Sequence, residues 1–181
     1  MKAALAALIV AGMMAAAPAH AEWTPETTYV RDCINAASRA HKVPAIVLVL
    51  LLRVEAGRLG AVSQNTNGTV DIGPMQVNSI WVHNIAQRWK ATDDATYKAL
   101  RDNLCANIEA GAWILRDGLD EAHGDLWQGV AYYHSHSPDH QKHYLGLMWE
   151  QVSHLGLLKA SGTGAGTKPS SPLSPVIEAH R

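Results

Sequence analysis

The strongest pattern in the interior of the chain is an almost uninterrupted apolar stretch over residues 43–54, which only Arg53 breaks. Its apolar residues fall on all sides of a helix, and such a helix is expected at the centre of a core. Glu55 follows directly, and the pair Ala56-Gly57 after it favours the end of a helix. The pattern therefore predicts a buried helix that presents a carboxylate at its last turn.

Apolar residues at helical spacing continue through most of the remaining chain. One long helix is defined by apolar residues that repeat every three or four positions, at Leu104, Ile108, Ala112, Leu115 and Leu119. Short polar residues, prolines and early acidic residues mark the starts of other helices. The predicted helices cover residues 24 to about 41, 44–55, 78 to about 89, 92 to about 101, 104 to about 124, 125 to about 134 and 137 to about 158. The fold class is therefore predicted to be mainly α.

The exception to the helical pattern lies over residues 56–73, which are rich in Gly, Asn, Thr and Ser. The segment Asn65-Thr66-Asn67-Gly68-Thr69 is a strong turn signal. A small hairpin or an irregular ordered loop is therefore expected here, beside Glu55.

The two ends of the chain differ in composition from the part between them. Residues 1–21 combine Lys2, an apolar stretch of small residues and Ala19-His20-Ala21, which predicts a secretory signal peptide cut after Ala21. The alternative is an uncleaved anchor. Residues 22–158 are long enough for one domain, and the Gly-, Ser- and Pro-rich residues 159–181 predict a disordered tail. No other segment is apolar over the roughly 20 residues that span a membrane, so the mature protein is expected in the periplasm.

Charge and cysteine content narrow the possible partners and the compartment. The chain has 15 Lys and Arg against 16 Asp and Glu with no basic stripe, which argues against a nucleic-acid partner. Its only cysteines are Cys33 and Cys105. An even number of cysteines in a secreted chain predicts a disulfide between them. The alternative is a pair of unpaired buried thiols.

Glu55 is the leading candidate for chemistry. A carboxyl group at the mouth of a buried helix is poorly solvated, so its protonated form is favoured, and such a group can act as a general acid. The alternative is a salt bridge to Arg53 or Arg58, which would lower its pKa. Asp71 is a candidate second carboxylate, although we favour the structural alternative, in which it caps turns of the Asn-Gly-Thr loop.

Four sequence blocks together resemble the soluble lytic transglycosylases over most of the chain, from about Thr27 to Leu147. They are Glu-x-Gly from Glu55, Asn-x-Asn-Gly-Thr-x-Asp-Ile-Gly-x-Met-Gln-x-Asn from Asn65, Cys-x-Asn-Ile-x-x-Gly-Ala-Trp-Ile-Leu from Cys105, and Tyr-His-Ser-x-Ser-Pro from Tyr133. The match is closest to the small members that accompany conjugation, secretion and pilus machines. The resemblance implies a lysozyme-like helical fold of the goose type. It also implies cleavage of the β-1,4 bond between N-acetylmuramic acid and N-acetylglucosamine in peptidoglycan, with a 1,6-anhydro product.

The resemblance also assigns roles to side chains. It places Gln76 in the substrate cleft with Met75 packed beneath it, and it counts both among the substrate-binding candidates. It also makes Tyr133 and its neighbour Tyr132 substrate-binding candidates and implies that the hydroxyl of one of them is bonded to Glu55. Weaker candidates for substrate binding are Asn78, for which helix capping is the alternative, and the loop residues Ser63 and Asn65.

Two positions depart from the pattern of the family. Ala56 stands where many relatives have serine after the glutamate, and His134 stands where an asparagine usually follows the tyrosine. The second departure affects which tyrosine is assigned as the partner of Glu55, and it leaves the assignment of Glu55 unchanged.

One carboxyl group suffices for the implied reaction, because the acid can later act as a base and the substrate supplies the nucleophile. No cofactor and no metal are required. His134, His136, His140 and His143 have spacings that invite a zinc site, but Pro138 interrupts them and no Cys or acidic pair completes a signature. The alternatives to a transglycosylase are a lysozyme-type hydrolase and an inactive wall-binding assembly subunit.

Overall fold

Residues 25–157 are described by a computed structural model, in which this part of the chain forms seven α-helices and a small antiparallel sheet. The predicted signal peptide at residues 1–21 and the predicted tail at residues 159–181 lie outside the described residues. The elements are α1 Pro25–His41, α2 Ala45–Glu55, β1 Val62–Gln64, β2 Val70–Ile72, β3 Val77–Asn78, a 3₁₀ turn Ser79–Trp81, α3 Val82–Trp89, α4 Asp93–Asp102, α5 Leu104–Glu121, α6 Leu126–His134 and α7 Pro138–His154. The prediction of a mainly α fold is confirmed.

The starts of three helices are fixed by side-chain caps. The side chains of Thr92, Asn103 and Asp125 accept hydrogen bonds from backbone amides in the first turns of α4, α5 and α6. Two helices end earlier than predicted, because a residue with positive φ terminates each: His123 (φ 52°) follows α5, and Gly156 (φ 64°) follows α7.

The core is built around α2 and α5. In α2, Val47, Leu48, Leu50 and Leu51 are all buried, as its continuous apolar sequence predicts. Helix α5 packs against α1, α2, α4 and α6. The fixed position of α2 in the core determines where its last residue, Glu55, emerges.

A disulfide joins Cys33 of α1 to Cys105 of α5, with the two Cα atoms 4.9 Å apart. The predicted bridge is therefore present and the alternative of free thiols is wrong. The bridge ties the first described helix to a helix 72 residues further along the chain.

The segment predicted as a hairpin or loop forms part of a three-stranded sheet in the order β1-β2-β3. The amide of Asn65 donates to the carbonyl oxygen of Thr69 (2.9 Å), and Gly68 has φ 84°, which closes the turn between β1 and β2. In the register of the sheet, Asp71 of β2 lies between Ser63 of β1 and Asn78 of β3. This sheet stands beside the end of α2.

None of the helices within residues 25–157 combines the length and the apolar character that crossing a membrane requires.

Candidate active site

A cleft of about 570 Å³ opens where the end of α2, the sheet and the junction of α6 with α7 meet. Its walls are mostly polar. Seven of its lining residues carry chemistry considered below, namely Glu55, Asn65, Asp71, Gln76, Asn78, Tyr133 and His134.

Glu55 reaches this cleft because α2 ends abruptly after it. Ala56 takes the left-handed conformation (φ 49°), and its amide donates to the carbonyl oxygen of Leu52 (3.2 Å). A Cβ atom at Gly57 would collide with the carbonyl oxygen of Gly73 and the side-chain amide of Gln76. The predicted helix end is confirmed, and the close approach at Gly57 brings the loop that carries Gln76 against it.

The environment of Glu55 favours its protonated form. Burial raises its pKa from 4.5 to about 7, and the nearby Asp71 adds to the rise. The hydroxyl of Tyr144 donates a 2.6 Å hydrogen bond to Oε1 of Glu55 and partly opposes that rise. A carboxyl group that keeps its proton near neutral pH and lies in an open cleft can act as a general acid.

The alternative of a salt bridge at Glu55 does not hold. Nε of Arg53 instead donates to Oε1 of Gln151 (2.8 Å), and the ion pairs within residues 25–157 do not include Glu55. Arg53 is therefore bonded to α7 through Gln151 and forms no ion pair with Glu55.

Asp71 lines the cleft, and the side chain that caps the turn of the Asn-Gly-Thr loop is Asn67. Strand alternation explains its direction: the next residue, Ile72, is buried in the core, and Asp71 therefore faces the other side. Its Oδ1 accepts a 2.7 Å hydrogen bond from Nδ2 of Asn78. The turn is held by Asn67, whose Oδ1 accepts from the amide of Thr69 (3.1 Å).

Asn78 satisfies both roles considered for it. Its Oδ1 accepts from the amide of Ile80 (3.1 Å) and caps the 3₁₀ turn, while its Nδ2 holds Asp71. It also lines the cleft. Asn78 thus connects the start of a helix to the second carboxylate.

Gln76 lines the cleft, but Met75 does not. Gln76 has φ 48°, and its Nε2 donates to the carbonyl oxygen of Gly73 (2.8 Å). The side chain of Met75 is 0 % exposed and packs against Gly111. The complete burial of Met75 corrects its inclusion among the substrate-binding candidates.

Asn107 supports this loop and was not predicted to do so. Its Oδ1 accepts from the amide of Met75 (2.7 Å), and its Nδ2 donates to the carbonyl oxygens of Ile72 (2.8 Å) and Leu100 (2.9 Å). The signal in the sequence is an amide side chain on the apolar face of a helix, three residues after Leu104. A buried amide with three protein partners fixes the loop because each lost bond would leave a buried polar group unpaired.

The tyrosine bonded to Glu55 is Tyr144, so the prediction that Tyr132 or Tyr133 makes this bond is wrong. The hydroxyl of Tyr133 donates to the carbonyl oxygen of Met75 (2.8 Å), although Tyr133 still lines the cleft. The ring of Tyr132 stacks on His136 at 4.5 Å and is absent from the lining. Burial raises the pKa of both Tyr133 and Tyr144, so both hydroxyls keep their protons and donate. The missed signal is the spacing of Tyr144 with Met148 and Val152, which marks the buried face of α7.

Of the two weaker loop candidates, only one lines the cleft. Asn65 lines the cleft, and its Nδ2 donates to Oγ1 of Thr69 (3.1 Å). Ser63 lies on the exposed outer strand β1 and is not part of the lining.

The histidines at the α6–α7 junction point in different directions. His134 stacks on Tyr144, whereas His136 lies against Tyr132 and bonds to Glu121. Within the described part of the chain, no three His, Cys, Asp or Glu side chains are grouped so that they could hold a metal ion.

Comparison with known proteins gives one family match and several relatives. Residues 32–144 match the protein-family model described as transglycosylase SLT domain. Invasion protein IagB of Salmonella typhi is 27 % identical over 134 residues, which cover 71 % of this chain and 80 % of that protein. Invasion protein IagB of Salmonella typhimurium strain SL1344 is 27 % identical over 129 residues, which cover 68 % of this chain and 77 % of that protein.

Proposed function

We propose that this chain, which belongs to the transglycosylase SLT domain family, is a peptidoglycan lytic transglycosylase in which Glu55 is the acid and the base. Membership of the family also confirms the lysozyme-like helical fold that the resemblance implied. The observation that carries the proposal is the position of Glu55 in the cleft, with a pKa near 7 and a tyrosine hydroxyl on one carboxyl oxygen.

The reaction needs one proton to be given and one to be taken back. Glu55 protonates the oxygen of the glycosidic bond, and the bond to the anomeric carbon of N-acetylmuramic acid breaks. The N-acetyl oxygen of the same sugar stabilises the positive charge. The Glu55 carboxylate then removes the proton of the 6-hydroxyl, whose oxygen attacks the anomeric carbon and closes the 1,6-anhydro ring. Atoms balance without water, and Glu55 ends as it began.

Tyr144 stabilises the intermediate state of this cycle. After Glu55 has given up its proton, the carboxylate retains the 2.6 Å bond from the Tyr144 hydroxyl. A hydrogen bond to an ionised oxygen is stronger than one to a neutral group, so Tyr144 makes proton donation easier.

The amides in the cleft fit an acetylated sugar. Gln76, Asn65 and Asn78 all line the cleft. A side-chain amide both donates and accepts, and sugar hydroxyl and acetamido groups do the same. We therefore assign these three residues to binding the glycan strand, together with the part of Tyr133 that lines the cleft.

Asp71 favours a second candidate, a hydrolase of lysozyme type. It faces the same cleft as Glu55 and raises the pKa of that group. A second carboxylate could position a water molecule or stabilise the cationic sugar, as in glycosidases that use two carboxyl groups.

The products of digestion decide between the two candidates. We expect mass spectrometry of purified peptidoglycan after treatment to show muropeptides that end in 1,6-anhydro-N-acetylmuramic acid, which lack the mass of one water. The Glu55→Gln variant serves as the control for contaminating activity. Products that carry only reducing ends would reject the transglycosylase and support the hydrolase.

Activity should be high below neutral pH and should fall as the pH rises through about 7. The protonated form of Glu55 starts the reaction, and above the pKa its fraction falls about tenfold for each pH unit. The rate of release of soluble muropeptides, measured at constant ionic strength, gives the profile. Tyr144→Phe should move the alkaline midpoint upward, because the bond from Tyr144 lowers the pKa of Glu55. An alkaline midpoint near 4.5, the ordinary pKa of glutamate, would contradict the assigned environment.

We further propose that the protein works in the periplasm and opens local gaps in the wall for a conjugation or secretion apparatus. The disulfide supports an oxidising compartment outside the cytoplasm, and peptidoglycan lies there. The narrower role is supported by the resemblance to small members that accompany such machines, and by relatives that are named invasion proteins.

A further inference from the structure

One histidine contacts the tyrosine that holds Glu55. The imidazole of His134, the last residue of α6, lies flat on the ring of Tyr144, with ring centroids 4.4 Å apart and an interplanar angle of 1°. The hydroxyl of the same Tyr144 donates to Oε1 of Glu55 at 2.6 Å. The three side chains come from α6, α7 and α2, and they form a continuous series of imidazole, phenol and carboxyl group.

The short connection between α6 and α7 fixes the two rings relative to each other. The backbone of Ser135 is extended, and its amide donates to the carbonyl oxygen of Ala131 (3.0 Å), which completes α6. Nε2 of Gln141 in α7 donates to the carbonyl oxygen of Ser135 (3.1 Å) and ties the two helices together. His134 and Tyr144 therefore face each other across a connection that is bonded on both sides.

We propose that His134 is a positioning residue for Glu55, whose ring holds Tyr144 in the orientation that keeps its hydroxyl on the carboxyl group. The hydroxyl lies at the far end of the side chain, so a small rotation about the Cα–Cβ bond of Tyr144 swings the ring and moves the hydroxyl away from Glu55. A planar group stacked on the ring opposes such a rotation. The importance of this contact for catalysis rests on the proposed function, whereas the contact itself does not.

His134 is expected to perform this task as an uncharged ring. The titratable groups that act on it are His140 and His143 from α7 and Asp71 from β2. Burial and the two histidines lower its pKa, and Asp71 only partly opposes them. A substituted side chain that is aromatic and uncharged should therefore keep the stacking contact with Tyr144. The asparagine that the family usually carries at this position has no ring to stack.

His136 offers a matched control in the same region. It lies two residues further along the chain, and its ring also stacks on a tyrosine, Tyr132, at 4.5 Å and 11°. Tyr132 does not line the cleft, and its ring is not bonded to Glu55. Removing His136 therefore deletes a stacked histidine that has no connection to Glu55, whereas removing His134 deletes one that contacts the tyrosine bonded to Glu55.

The test is the titration of the Glu55 carboxyl group itself. Carbon-13 NMR of protein labelled at the glutamate carboxyl carbon follows this group through the pH range, with Glu55→Gln identifying its signal. His134→Ala should raise the midpoint. The hydrogen bond from Tyr144 lowers the pKa of Glu55, and a weaker bond lowers it less than in the wild type. His134→Phe should restore a midpoint close to that of the wild type, and His136→Ala should leave it unchanged. Where His134→Ala does not fold, His134→Asn replaces it in the comparison.

A double variant shows whether His134 acts on Glu55 through Tyr144 or directly, by shielding the carboxyl group from solvent. Tyr144→Phe should raise the midpoint by more than His134→Ala, and adding His134→Ala to Tyr144→Phe should raise it no further. A midpoint that falls in His134→Ala, stays unchanged, or shifts additively with Tyr144→Phe overturns the proposal, because His134 would then act on Glu55 without Tyr144.

Cleavage assays give a second, separate readout. His134→Ala should lower kcat about threefold to tenfold at neutral pH, with most of the loss recovered in His134→Phe. If the wild-type protein cleaves no peptidoglycan, the proposed function fails, yet the titration still decides whether His134 positions Tyr144.

Discussion

Replacing Glu55 with glutamine should lower the rate of peptidoglycan cleavage by about 10³-fold or more, the largest effect expected from any single substitution. Glutamine has nearly the same shape and can still accept a hydrogen bond from Tyr144, so the cleft should keep its geometry. It has no proton to give to the glycosidic oxygen and cannot act as a base afterwards. Release of soluble muropeptides from purified cell walls measures the loss.

A matched carboxyl group provides the control for this substitution. Glu121 is exposed, lies outside the cleft and bonds to His136, so Glu121→Gln should cleave as fast as the wild type. If Glu55→Gln also clears walls at the wild-type rate, Glu55 is not the acid. If the wild type and the variant are both inert but both bind cell walls, the alternative of a wall-binding assembly subunit is preferred.

Thermal unfolding shows whether Glu55→Gln is folded, and the sign of its effect is predictable. The folded protein binds the Glu55 proton more tightly than the unfolded chain, because its pKa rises from 4.5 to about 7 on folding. Stability contributed by this group is therefore present at low pH and is lost as the pH rises from 4.5 to about 7. At mildly alkaline pH, Glu55→Gln should unfold at a temperature equal to or above that of the wild type.

Removing the disulfide should lower the free energy of unfolding by about 4 kcal/mol, the largest stability effect expected. The bridge between Cys33 and Cys105 spans 72 residues, and in the chain-entropy model its loss gives the unfolded chain many more conformations. Urea unfolding of the Cys33→Ser, Cys105→Ser double variant measures the change. The folded cleft should survive, because Glu55, Tyr144 and their surroundings lie on α2 and α7, which the bridge does not join.

The reduced wild-type protein is the natural control for the double variant. Its unfolding midpoint in the presence of a reductant should match that of the variant, since both lack the same crosslink. Equal midpoints for the oxidised wild type and the double variant would show that the bridge contributes nothing to stability. Thiol labelling of the denatured, unreduced protein would then reveal whether the bridge forms at all.

The helices could be predicted because their signals are local. Apolar spacing along α5, the apolar run of α2 and the capping residues Thr92, Asn103 and Asp125 each lie within the element that they define. The errors at the ends of α5 and α7 were small, since each helix stops within a few residues of the predicted end, at a residue with positive φ. Glu55 was found for the same reason, as a charged residue that directly ends an apolar helix.

The partners of Glu55 could not be found in this way. Tyr144 is 89 residues away in sequence, whereas Tyr133 belongs to a recognisable block, so the sequence pointed to the wrong hydroxyl. Asp71 was assigned to a turn because of its Asn- and Gly-rich neighbours. Only the pairing of three short strands shows that it faces the cleft.

Sequence alone predicted the helical fold and the pairing of the two cysteines, because these follow from composition and from periodic patterns of nearby residues, and together with the family blocks it singled out Glu55 as the proposed acid. Tertiary structure decided that Met75 is buried, that Asp71 and Asn78 share the cleft, and that Tyr144 under His134 holds Glu55. Those facts depend on how α6 and α7 fold back onto the end of α2. The pKa of Glu55 belongs to the second group, since desolvation and hydrogen bonding are properties of the packed structure and not of the residue.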